Sequence, residues 1–113
     1  MYWVVSYFVR AEKASGYQKW LNSAGAKRLL RQFEKETGFK YLNTYFPILG
    51  VGDYDAEDWF EVPNWAAVDK IRASKAWGEV IKRTWNMLDQ TRPFKTRAMR
   101  TAQDVMIPTP PTG

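Results

Sequence analysis

The side chains of this sequence that can do chemistry are hydroxyls, amides, indoles and carboxylates, because its 113 residues include no His and no Cys. The usual acid or base at neutral pH, the commonest metal ligand and the thiol nucleophile are therefore absent. Six Trp, six Tyr and six Phe residues instead supply large apolar surfaces. This composition favours the binding of an apolar ligand over haem, metal or thiol chemistry, and we expect no cofactor.

Six residues are candidates for a ligand-binding site. Aromatic residues alternate along the predicted strands, and aromatic walls with a few hydroxyl or amide groups are typical of pockets for apolar ligands. A guanidinium at the pocket mouth would suit a ligand with an acidic head group. The predicted ligand-binding residues are Trp3, Tyr7, Asn43, Tyr45, Trp59 and Arg97.

The same residue types also have a purely structural interpretation, which stays open at this point. Aromatic side chains on strands fill cores and dimer interfaces, and basic residues on an outer strand protect it from aggregation. The acidic segment at residues 53–58 lacks the Gly and Glu of a calcium loop, so we interpret it as a solvated loop and expect no metal site. The Ser residues have no His to activate them, and catalytic residues remain unassigned.

The charge pattern bears on the partners of the chain. The formal net charge is +5, yet its excess comes from Arg92, Lys95, Arg97 and Arg100, while acidic residues cluster between residues 53 and 61. Such segregation differs from a basic nucleic-acid surface, and the aromatic signature of RNA-binding sheets is absent, so we expect no nucleic-acid partner. No apolar run approaches the ~20 residues of a membrane span, and a signal peptide is not evident. We expect a cytoplasmic protein without a membrane span.

The order of predicted elements indicates the fold. Residues 2–10 (YWVVSYFVR) are aromatic and β-branched, which is typical of a strand. Apolar residues then recur at helical spacing up to Gly38, with a break near Gly25, and again from Trp65, with a break after Ser74. Further predicted segments are strands at 39–48, 58–62 and 94–101, a turn at 50–53, one domain over residues 1–107 and a Pro-rich tail at 108–113.

The predicted order, strand–helix–strand–strand–helix–strand, indicates an α+β ferredoxin-like βαββαβ sandwich. In this fold a four-stranded antiparallel sheet carries two helices on one face. The first strand is apolar on both faces, so the face without helices should meet a partner. We therefore predict a homodimer in which two sheets form a dimeric α+β barrel.

Several segments resemble the dimeric α+β barrel superfamily, and NIPSNAP-like proteins and antibiotic-biosynthesis monooxygenases in particular. The segments span about residues 2 to 77 and are Tyr2, Tyr7, residues 20–25 (WLNSAG), Gly38, residues 59–62 (WFEV), residues 65–68 (WAAV) and residues 72–77 (RASKAW). The resemblance implies the same fold and dimer. Cofactor-free monooxygenases of the superfamily are associated with Asn, Trp and Tyr in a pocket between sheet and helices, which Asn43, Trp59, Tyr7 and Tyr45 could supply.

Two functions are therefore open. The first is a binding protein for a small hydrophobic or amphipathic ligand, such as a fatty acid with an acidic head group. The alternative is a cofactor-independent monooxygenase acting on a phenolic or polyketide-like substrate, with Asn43 and a Tyr hydroxyl stabilising an oxyanion. An interaction module without a pocket is a third possibility. The sequence favours binding and does not demonstrate catalysis.

Overall fold

A computed structural model describes residues 1–47 and 55–101. Strands and helices follow the predicted order, and each predicted helix is divided into two pieces. The elements are β1 (Tyr2–Tyr7), α1 (Ala14–Leu21), α2 (Ala24–Thr37), β2 (Lys40–Tyr45), β3 (Ala56–Glu61), α3 (Trp65–Asp69), α4 (Lys75–Thr84) and β4 (Lys95–Met99). The predicted turn at 50–53, the predicted end of the domain at residue 107 and the predicted tail at 108–113 lie outside the described residues.

The four strands form one antiparallel sheet in the order β2-β3-β1-β4. β1 therefore lies in the interior of the sheet, and β2 and β4 are its edges. Two interlocked βαβ units produce this order. The predicted ferredoxin-like α+β fold is confirmed.

Local signals set the ends of the helices. The hydroxyl of Ser23 accepts from the amide of Ala26 and so caps α2, and the side chain of Asn64 caps α3 in the same way. Ser74 caps α4 after a 3-10 turn at Lys70–Ala73. Gly38 ends α2 with a φ of 82°, a left-handed conformation that favours glycine. The breaks predicted near Gly25 and Ser74 are thus real helix boundaries.

Successive side chains of a strand point to opposite faces of the sheet, so every second residue faces the helices. Trp3 and Val5 of β1 pack against a core cluster that includes Phe33 of α2 and Ala76 of α4. Phe60 of β3 pairs with Trp3, and its ring centroid lies 5.5 Å from that of Phe33. This side of the sheet, the helical face, carries Trp3, Val5 and Tyr7 from β1 and Ala56, Asp58 and Phe60 from β3.

The opposite side of the sheet, the open face, carries the intervening residues. Trp59 of β3 lies between Tyr2 and Tyr45, with ring centroids 6.0 Å and 6.3 Å away. Beside them Arg97 of β4 forms an ion pair with Glu57, whose carboxylate also accepts from Ser6. No helix of the described residues covers this face. None of those helices is both long enough and apolar enough to cross a membrane.

Candidate functional site

A carboxylate lies on the helical face of the sheet. Asp58 stands on β3 between Ala56 and Phe60, which are 0% and 1% exposed. The period of two residues along a strand puts all three side chains on the same side. Asp58 therefore projects between sheet and helices, where a charge is costly unless it is well hydrogen-bonded.

Four hydroxyl groups are arranged around this carboxylate. Asp58 Oδ1 accepts hydrogen bonds from Tyr7 Oη and Thr44 Oγ1, each at 2.7 Å. Tyr7 Oη is also hydrogen-bonded to Tyr17 Oη, and Thr44 Oγ1 to Tyr41 Oη at 2.5 Å. Each hydroxyl has one hydrogen, so Tyr17 must donate to Tyr7, and Tyr41 to Thr44, when Asp58 is ionised. These five residues, called the Asp58 cluster below, form two chains of donors that end on one oxygen.

The electrostatics of the cluster make Asp58 the group that can change charge near neutral pH. Burial raises the pKa of Asp58 from its ordinary 3.8 to about 6, although the hydrogen bonds from Tyr7 and Thr44 oppose this increase. Burial, together with the charge of Asp58, raises the pKa of Tyr7 and of Tyr17. Burial also raises the pKa of Tyr41 to about 12. The three phenols therefore remain protonated donors at neutral pH.

The Asp58 cluster borders an apolar cavity of about 250 Å³ between the sheet and α4. This volume is slightly below the ~300 Å³ at which typical ligand pockets begin, so the cavity suits a small ligand. The described residues of its lining include a single carboxylate and no cation. The lining residues are Val5, Tyr7, Tyr17, Asp58, Trp77, Val80, Ile81, Thr84, Trp85, Leu88 and Phe94.

Aromatic rings mark the outer end of this cavity. Trp85 and Phe94 are 44% and 40% exposed, and they stack with centroids 6.1 Å apart and an angle of 13° between the rings. Phe94 also lies 6.1 Å from the ring of Tyr7. Exposed, flat side chains of this kind can contact a flat ligand without losing much side-chain freedom. The cavity therefore runs from an aromatic mouth to a carboxylate.

A separate polar groove of about 480 Å³ lies where α1 and α2 meet the edge strand β2. Lys27, Arg31 and Glu34 line it from α2, and Tyr41 and Thr44 line it from β2. Because Thr44 also donates to Asp58, hydroxyl groups connect this groove to the carboxylate of the cavity.

The structure distributes the six sequence-predicted site residues over several places. Tyr7 lines the cavity, and Trp3 packs in the core beside it on the helical face. Asn43 lines the polar groove, where its side chain accepts from the amide of Thr44. Tyr45 and Trp59 lie on the open face, as does Arg97. The six residues therefore do not converge on one cavity, and their role in binding stays a prediction.

Asp58 is not among the functional residues predicted from the sequence. It ends the segment 53–58 interpreted as a solvated loop and begins the strand predicted at 58–62, whereas β3 begins at Ala56 and places Asp58 inside the strand. The usable signal was the alternation of Ala56, Asp58 and Phe60, in which the carboxylate takes a position that should be apolar. The hydroxyl partners come from β1, α1 and β2, so they could not be associated with Asp58 without the fold.

Comparisons with known proteins bear on the fold. No protein-family model and no curated protein matches the chain. A NIPSNAP family protein of unknown function from Agrobacterium tumefaciens has a similar structure, with a TM-score of 0.64 and 11% identity over 89% of this chain and 86% of that one. An uncharacterized NIPSNAP domain protein from Burkholderia xenovorans has a TM-score of 0.64 and 12% identity over 94% of this chain and 98% of that one.

A third similar structure is an antibiotic biosynthesis monooxygenase-like protein from Nitrosomonas europaea. Its TM-score is 0.57 at 12% identity, over 90% of this chain and 99% of that one. At such low identity these likenesses show the fold and not the activity. The resemblance inferred from the sequence is confirmed for the fold.

Proposed function

We propose that this protein binds a small, uncharged, largely aromatic ligand in the cavity between the sheet and α4. The observation that carries the proposal is an apolar cavity that ends on the carboxylate of Asp58. Small-molecule sites characteristically combine a mostly apolar lining with a few placed polar groups. Here the polar end offers a hydrogen-bond acceptor, and Trp77, Trp85 and Phe94 supply the aromatic surface.

The charge of the cavity narrows the ligand class expected from the sequence. A fatty acid with an acidic head group would need a cation, whereas the carboxylate of Asp58 is the charged group among the described lining residues. Two carboxylates at one site repel each other unless one is protonated. Arg97, which the sequence analysis placed opposite the acidic head, is paired with Glu57 on the open face. A neutral ligand fits better when it brings a polarised hydrogen to the carboxylate, such as a hydrogen on the carbon next to a carbonyl.

Calorimetric titration with 2-tetralone, a bicyclic aromatic ketone, tests the binding site. We expect saturable binding to the unchanged protein. Val80→Trp should weaken it at least tenfold because the indole fills the cavity that Val80 lines. Leu42→Trp, on β2 and outside the cavity lining, is the matched control and should leave binding unchanged. Equal binding by both variants would contradict the proposed site.

The homodimer predicted from the sequence is also proposed, with the open face as its interface. The aromatic row of Tyr2, Trp59 and Tyr45 supports it, since Tyr45 is 53% exposed and aromatic side chains are enriched at interfaces. Face-to-face packing of two sheets buries such a surface.

The cofactor-independent monooxygenase remains a second candidate because a carboxylate and hydroxyl groups lie together at the cavity. A base that ionises a phenol makes it richer in electrons, as oxidation by oxygen requires. Asn43, which was predicted from the sequence to stabilise the oxyanion, lines the polar groove instead of the cavity. Oxygen consumption with hydroquinones distinguishes this function from binding alone, which consumes none.

A further inference from the structure

The carboxylate of Asp58 has one oxygen that the described residues leave unpaired. Oδ1 accepts from Tyr7 and Thr44, whereas Oδ2 accepts from none of the described residues. Among those residues, no fully buried side-chain oxygen or nitrogen lacks a hydrogen-bond partner. Oδ2 is therefore not fully buried, and Asp58 is one of the residues that line the cavity. This oxygen is the acceptor that the described residues leave for a hydrogen of a bound ligand.

The groups that face Asp58 are hydroxyl donors or apolar side chains, so Asp58 is the proton acceptor among them. β1 contributes Tyr7, α1 contributes Tyr17, and β2 contributes Tyr41 and Thr44, all as hydroxyl donors. From α4 the cavity receives aromatic and aliphatic side chains and the hydroxyl of Thr84, which donates to the carbonyl of Val80. Among the described residues, no Lys or Arg lines the cavity to neutralise the carboxylate.

Two unused donors line the same cavity. The indole N–H groups of Trp77 and Trp85 donate to no described residue, and both side chains line the cavity. A donor in a site of low polarity can stabilise negative charge that develops on a carbonyl oxygen. The side chains that line the cavity thus include a base and two N–H donors.

From this arrangement we propose that Asp58 is a general base that removes a proton from the carbon next to the carbonyl of an aromatic ketone, so that the protein catalyses enolisation. This activity rests on the proposed function, because the ketone must occupy the cavity. The C–H bond breaks and its proton moves to Asp58 Oδ2. The electron pair left on carbon forms the double bond of the enolate, and the carbonyl π pair moves to oxygen.

The cycle closes without any further reactant. Protonated Asp58 returns a proton to the enolate, either at the original carbon or at a conjugated carbon, and the carboxylate is restored. Once the proton on Asp58 has exchanged with solvent, its return to the original carbon replaces the hydrogen of that carbon by one from solvent. Return to a conjugated carbon isomerises the ketone. No electron is gained or lost overall, so the reaction needs no oxidant, reductant or cofactor.

Deuterium exchange into 2-tetralone tests this activity directly. The protein is incubated with the ketone in D2O, and mass spectrometry follows the uptake of deuterium. We expect exchange well above the rate in buffer alone, and Asp58→Asn should lower the protein-dependent rate by about 100-fold or more, as removal of a general base does. Asp69→Asn, an equal change at an exposed position of α3, is the matched control and should keep the rate.

The pH profile provides a second test that does not depend on the folding of Asp58→Asn. A carboxylate base must be ionised, so the rate should rise with pH up to a plateau, with a midpoint near the Asp58 pKa of about 6. Thr44→Val removes a hydrogen bond that lowers this pKa, so the midpoint should move to higher pH. A purely structural role of Thr44 would leave the midpoint in place.

The outcomes separate this proposal from the proposed function. Binding of 2-tetralone without accelerated exchange would overturn the enolisation and leave the binding function intact. Accelerated exchange that persists in Asp58→Asn would also overturn it. Absence of binding to the cavity would overturn both proposals.

Discussion

At the residue scale, Asp58 is expected to lower the stability of the fold and to provide a proton acceptor at the cavity. Its carboxylate lies in the sheet–helix interior with hydroxyl donors on Oδ1 and none of the described residues on Oδ2. A buried polar group that lacks some of its hydrogen bonds lowers stability, and proteins commonly keep such a group where function requires it. This role of Asp58 could not be predicted from the sequence, because a run of acidic residues is normally a solvated segment. The hydroxyl donors are also distant from Asp58 in sequence.

The loss of stability caused by the ionised carboxylate can be measured by comparing the free energy of unfolding of Asp58→Asn with that of the unchanged protein. The pKa of Asp58 is about 6 against an ordinary 3.8, so the folded state binds the proton more tightly than the unfolded state. This contribution to stability is present below the unfolded pKa and is lost as pH rises through about 6. Asn should therefore stabilise the protein by about 1–3 kcal/mol at pH 8. Below about pH 3, where Asp58 is protonated in both states, the gain should disappear.

Urea unfolding across this pH range checks the prediction. A destabilised Asp58→Asn at pH 8 would mean that the ionised carboxylate, with its hydrogen bonds from Tyr7 and Thr44, contributes net stability. In that case Asp58 would be a structural residue of the sheet.

At the scale of elements, the sequence predicted which helices and strands exist, and their order, better than it predicted the residues at which they begin and end. Gly38 and Ser74 marked helix ends correctly, since each has a local geometric or capping reason to lie there. The ends of strands were less accurate: β1 ends at Tyr7 and β2 at Tyr45, earlier than predicted. Strand ends depend on the partner strand, which a local pattern does not contain.

Two glycines with different backbone conformations test the helix boundaries. Gly38→Ala should destabilise the protein by about 1 kcal/mol, because its φ of 82° disfavours a Cβ atom. Gly78→Ala lies inside α4, where a Cβ atom would meet nothing within 4 Å, and should stabilise by up to about 1 kcal/mol. The free energy of unfolding of both variants is the measurement. A stabilising Gly38→Ala would contradict the left-handed end of α2.

At the scale of the whole molecule, the two faces of the sheet differ: helices pack on one face, and no helix of the described residues covers the other. The sequence predicted the ferredoxin-like arrangement, since the order of elements and the apolar first strand were sufficient for it. It could not assign side chains to faces, because a shift of one residue exchanges them. The structure makes this assignment, with Tyr7 and Asp58 on the helical face and Trp59 and Tyr45 on the open face.

The proposed dimer can be tested with one Trp on each side of the molecule. Trp59→Glu places a charge in the open face and should convert a dimer into a monomer. Trp65→Glu, at a 58% exposed position of α3, makes the same chemical change outside that face and should leave the mass unchanged. Light scattering after size-exclusion chromatography reports the mass. A monomeric unchanged protein would contradict the dimer.

The central claim is that a ligand occupies the cavity beside Asp58, and the indole N–H signals of the six Trp residues test it most directly. Trp77 and Trp85 line the cavity, whereas Trp59 lies on the open face and Trp65 on α3. During titration with 2-tetralone, nitrogen–proton NMR spectra should show saturable shifts for Trp77 and Trp85, with Trp59 and Trp65 unchanged. Shifts confined to Trp59, or none at saturating ligand, would contradict the account.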